Sequence, residues 1–352
     1  MRIMTSGLAA SLLLLGVAHA QSGDRIVIED FYGTVELELS GSGEISAIKS
    51  GPNADEVTIK TGSTTRITGD EEIDRRRWWK EYQNNRKGWS GRQPKDRDRV
   101  FEEMLEERPR LTISAPQGTD IEINGSAIHM RTDGSAGDVD ITDNVHLLVV
   151  LGDVDDAELE IHGSGYLEVG NVAGMLDGSV HGSGDLIAGN IREADLRVHG
   201  SGDLNARNVG GEVKASVHGS GDLSLERVLG PVSANVHGSG DLKMNRIERG
   251  LKGSVHGSGD LEVNQVNGDL DLSVHGSGDL DIDNGSVDDL DATVYGSGEV
   301  TFGGSAKNAR LRSTGSGSIR VGRVTGQLDA KGKDIRVDGK KVGEEKKDKD
   351  YH

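Results

Sequence analysis

The chain has 352 residues, of which 34% are hydrophobic and only 3% aromatic, with 52 glycines, no cysteine and a formal net charge of −19. The acidity argues against nucleic acid or an anionic membrane as the main partner. The missing cysteines exclude disulfides, so stability must come from packing.

Residues 1–20 carry an early Arg2, an apolar run at 12–15, and Ala18-His19-Ala20 before Gln21. These match the n-region, h-region and small-residue cleavage site of a signal peptide. The apolar run is too short to cross a membrane. The expectation is export to the periplasm or cell surface, with no transmembrane segment after the signal is removed. Removal takes one arginine and no carboxylate, which leaves a charge of −20.

Residues 21–70 alternate like strands, with Ile26 and Ile28, then Val35, Leu37 and Leu39, then Val57 and Ile59. They read as N-terminal solenoid coils, and Ser40-Gly-Ser-Gly-Glu-Ile45 reads as a first isolated copy of the motif described below.

Residues 71–109 differ in kind. They hold all three tryptophans and eleven Lys or Arg against ten Asp or Glu. Val100, Phe101, Met104 and Leu105 share one helical face. This charged, Trp-rich, partly helical insertion reads either as a cap over the solenoid or as a binding element with Trp78, Trp79, Tyr82 and Trp89 as partner contacts. Arginines beside large aromatic faces are enriched at binding hot spots.

Residues 110–338 form the repeat domain, regular from 161 to 330. His-Gly-Ser-Gly-Asp-Leu is complete at His181, His199, His218, His237, His256 and His275, and altered at His162, Tyr295 and Thr314. Successive starts lie 18 to 20 residues apart. A short fixed period means a solenoid, whose coils bury their apolar sides only by stacking. Alternation of apolar and polar residues on both sides of Gly-Ser-Gly is the period of a strand with one buried face. A helix would bear two or three glycines per coil, each costing about 1 kcal/mol. The expected fold is all-β, a parallel β-helix of ~19-residue coils stacked at about 4.8 Å. A narrow bore accounts for the scarcity of aromatics. The glycines permit either positive φ or close backbone approach. Residues 339–352 turn to Lys, Glu and Asp and read as a charged, disordered tail.

The repeated Gly-Ser-Gly-Asp-Leu, the entry Leu111-Thr-Ile-Ser-Ala-Pro-Gln-Gly118 and the leading signal resemble the bacterial auto-transporter adhesin head, or GIN, domain family. The resemblance implies an exported, right-handed β-helix-like protein and a non-enzymatic scaffold, adhesin-like or binding the cell envelope. Its partner would be an envelope or surface polymer or protein. The family's label also implies a translocator barrel, which this sequence does not carry, and no family role passes to the histidines.

Two other chemistries deserve comparison. Stacked His181, His199, His218, His237, His256 and His275 could hold a divalent metal, with Asp185, Asp203, Asp222, Asp241, Asp260 and Asp279 as a parallel row of oxygen ligands. No other cofactor is suggested. A polysaccharide-active enzyme should break the repeat locally. The breaks at Tyr166, Tyr295 and 283–289 supply no separate pair of catalytic carboxylates. A Ser-His-Asp triad is disfavoured, because the three residues recur six times within one short motif, whereas a triad is one site with an oriented base and an oxyanion hole.

Overall fold

The computed structural model describes residues 24–41, 43–69, 75–85 and 94–343. The signal segment, the whole 86–93 stretch with Trp89, and the tail beyond 343 therefore lie outside the described residues. About 60% of the chain is strand, wound into a parallel β-solenoid of about 11 turns with ~19-residue coils.

Each regular coil contributes two strands, and each pairs in parallel with its counterpart in the coil before and the coil after. In one coil these are Val232–Val236 and Leu242–Ile247. The first pairs with Val213–Val217 behind it and Leu251–Val255 ahead. The second pairs with Leu223–Val228 and Leu261–Asn267. Register is set by the alternation itself, since a one-residue slip would turn every apolar side chain outward. Val232, Ala234, Val236, Leu242, Met244 and Ile247 all point inward and are buried. Each large aliphatic side chain so buried contributes roughly 1.5 to 3 kcal/mol. Equivalent layers recur along one continuous core.

The N-terminal end is not laid down in chain order. Strands β1 (Arg25–Glu29) and β2 (Tyr32–Gly41) form the second level, not the first. The chain then runs outward through β3 (Ser46–Ser50), β4 (Thr58–Lys60) and β5 (Thr64–Thr68) before the insertion. It returns as β6 (Arg110–Pro116), β7 (Asp120–Asn124) and β8 (Ala127–Gly134). β1 lies between β5 and β7, and β2 between β6 and β8, all parallel. The insertion thus sits inside the outermost coil. Strands β3 and β4 run antiparallel to β6 and β5 and cover their free edges, which protects the end from pairing with another chain.

Two expectations are corrected here. The isolated copy of the motif at Ser40-Gly-Ser-Gly-Glu-Ile45 does not join two parallel strands as the later copies do, because it lies between β2, which ends at Gly41, and β3, which runs antiparallel to β6. The tail also does not begin at 339. Lys340–Val342 pairs antiparallel with Ile335–Val337 and caps the C-terminal end. Asp338 and Gly339, with φ of 51° and 70°, make the two-residue turn. Consecutive positive φ values suit a type I′ hairpin and favour Asp-Gly.

The insertion holds two helices, α1 (Arg75–Asn85) and α2 (Pro94–Leu105). Pro94 opens α2, where its missing N–H costs nothing.

Candidate functional site

The repeated motif forms one corner of each regular coil. In the copy at 217–223, Val217 and Leu223 point into the core while His218, Ser220 and Asp222 face out. None of the glycines in the six complete copies has positive φ. They are there for contact between coils: a Cβ on Gly221 would lie 1.9 Å from the Gly202 carbonyl oxygen, and one on Gly219 1.9 Å from that of Gly200. Of the two roles open to these glycines, close approach is the one used.

The aspartates complete the corner's hydrogen bonding. The Ser220 N–H donates to Gly200 O (2.8 Å) and the Leu223 N–H to Asp241 O (3.0 Å), which leaves the Asp222 N–H without a backbone acceptor. Asp203 Oδ1 accepts it at 2.9 Å. The same bond joins Asp185 to Asp203, Asp222 to Asp241, Asp241 to Asp260, Asp260 to Asp279 and Asp279 to Glu299. Asp222→Ala is expected to cost about 1 to 3 kcal/mol, the penalty for stranding a part-buried donor. Asp222→Asn keeps an acceptor oxygen and should stay near wild type. Urea denaturation of the two variants checks the difference.

The histidines are exposed and bond to no backbone group of the neighbouring coil in this way. From His162 through His181, His199, His218, His237, His256 and His275 the rings stack at 4.7 to 4.9 Å, with planes 1° to 15° apart. Tyr295 continues the row at 4.9 Å. His199, His218, His237 and His256 are held below the usual imidazole range, first by partial burial and then by the neighbouring imidazoles. Both causes bias these four imidazoles toward the uncharged form. Each ring offers its in-plane edge, with one N–H donor and one acceptor.

Parallel rings also direct their lone pairs in parallel. Zinc binds imidazole nitrogen at about 2.0 to 2.1 Å in the ring plane, so an ion shared between stacked rings 4.8 Å apart would lie too far from both and off both planes. Among the described residues, no group of three or more His, Asp, Glu or Cys converges to hold a metal ion. As stacked, the row gives one imidazole per ion, and chelation would require rings to swing out of the stack.

The insertion residues divide sharply. Trp78 and Tyr82, spaced i, i+4 on α1, are buried against the solenoid wall with Val100, Phe101 and Leu105 of α2. The wall supplies Ala127, Val145, His146 and Leu148. The partner-contact expectation is therefore corrected for Trp78 and Tyr82, whose faces are taken up by packing. Trp79 remains 45% exposed, and Trp89 lies outside the described residues. Tyr166, where other coils carry Asp, packs against this cluster, which accounts for that break in the repeat. At its rim, burial pushes the Tyr32 phenol up to about 12, opposed by Arg108, whose guanidinium sits 4.0 Å over the ring.

The family model described as "Putative auto-transporter adhesin, head GIN domain" matches residues 146–246 and 251–339. No curated protein and no solved structure matches the chain. The matched segments cover more than half of the sequence, and the chain belongs to this family.

Proposed function

We propose that this GIN-domain protein is an exported, non-enzymatic scaffold that binds a repetitive polymer of the cell envelope or surface along its histidine row. Family and fold are both consistent with a non-enzymatic scaffold. The observation that carries the reading is the division of labour within the repeat. Its glycines, aspartate and leucine each have a role in the corner, whereas the histidines repeat at the surface in an unbroken line.

A ladder with the same chemistry every ~4.8 Å cannot select one unique contour, but it can engage many equivalent groups at once. Individually weak contacts then add through effective concentration. The four imidazoles biased toward the uncharged form, His199, His218, His237 and His256, suit hydroxyl or amide groups, so the partner is a polar polymer more than a polyanion. The outward corner carboxylates are tied to the next coil's amides, so they are poorly placed as a catalytic pair.

Co-sedimentation with purified peptidoglycan sacculi and with neutral and acidic polysaccharide beads tests this. His218, His237 and His256 all changed to Thr should weaken retention about tenfold or more, the non-linear loss expected of a multivalent contact. Equal retention of wild type and variant on every polymer, or no retention of either, would sink the proposal.

A further inference from the structure

We infer that the α1–α2 hairpin is a lid on the solenoid wall that acid releases, with His146 as the trigger. His146 is 4% exposed, against the fully outward placing of the repeat histidines. Its ring lies 5.0 Å from Trp78, 5.6 Å from Tyr82 and 4.4 Å from Phe101. Nδ1 is buried without a hydrogen-bond partner. An imidazolium at this place would be a cation packed among aromatic side chains with its solvation removed.

The groups around the ring offer no compensation. From α1 come Trp78 and Tyr82, from α2 Phe101, and from the neighbouring wall strand Ala127. At the rim of the interface Arg108 pairs with Glu81, at 3.3 Å, and lies over the Tyr32 face. No ion pair to His146 occurs among the described residues. Burial alone drives its pKa down, to about 3.

The direction of the pH effect follows from linkage. The docked form binds the proton only near pH 3, whereas a free histidine binds it at about 6.5. Docking is therefore at full strength above 6.5 and weakens about tenfold per pH unit below it. Undocking frees Trp78, Tyr82 and Phe101 and bares the apolar strip Ala127, Val145 and Leu148.

Hydrogen exchange of the full chain between pH 7.5 and 5 tests the lid. Corrected for intrinsic rates, protection of α1 and α2 amides should fall about thirtyfold, while that of the Leu223–Val228 strand holds. His146→Phe should keep the hairpin docked and abolish the fall. Protection of the hairpin that is independent of pH, that falls in step with the solenoid, or that falls equally in His146→Phe would overturn the inference. Should the variant fail to fold, the comparison of hairpin and solenoid amides in the wild type still decides it.

Discussion

Gly221→Ala should destabilise the solenoid by about 3 kcal/mol or more, the upper end of what overpacking costs. The added Cβ would meet Gly202 O at 1.9 Å and two further backbone carbons at 2.8 and 2.9 Å. These are main-chain atoms of a hydrogen-bonded neighbouring coil, so relief requires two coils to part. Gly210, at the opposite corner, is the control. Its nearest neighbours to an added Cβ are carbonyl oxygens at 3.8 Å and its φ is not positive. Gly210→Ala should be neutral or stabilise by up to about 1 kcal/mol through the unfolded chain. Guanidinium denaturation of the pair separates close approach from a general preference for glycine.

Trp78→Ala should cost the hairpin about 3 to 5 kcal/mol, as truncation of a buried aromatic does, while Trp79→Ala should stay within about 0.5 kcal/mol. The two residues are adjacent in sequence and opposite in environment, 4% against 45% exposed. Trp78 stacks on Tyr82 at 5.3 Å and meets Phe101 edge-on at 6.2 Å. The loss falls on docking, so limited trypsinolysis is the sensitive readout. Cleavage at Arg76 and Arg77 should accelerate strongly in Trp78→Ala and little in Trp79→Ala, with the solenoid left intact in both.

The solenoid could be read from sequence because its period, its alternation and its corner glycines all repeat locally. The order of the first levels could not. Placing β5 and β6 outside β1 and β2 depends on pairings across 39 to 76 residues, such as Arg25 with Thr64 and Thr34 with Arg110, and nothing periodic marks them. The aspartate row looked like a set of ligands because its bonds run between coils, side chain to backbone, where spacing alone is silent. Two signals were legible but went unused. Trp78 and Tyr82 stand at i, i+4, which already puts them on one helical face with Trp79 off it. Val337-Asp-Gly-Lys340 is a strong hairpin signal in what looked like a charged tail. His146 looked like any other histidine, since its burial is imposed by a hairpin 40 or more residues earlier in the chain.

The central claim is that the histidine row is surface chemistry laid over a corner built by glycine, aspartate and leucine. Thr314 occupies the same position in a later coil, so threonine is a residue the corner accepts. Equilibrium denaturation of the chain with His218, His237 and His256 changed to Thr tests the claim most directly. Free surface positions predict a total loss below about 1 kcal/mol. The substitutions break four ring stacks, from His199 through to His275. If stacking held the coils together at about 0.5 to 1.5 kcal/mol per pair, the loss would reach about 2 to 6 kcal/mol, and that result would contradict the account.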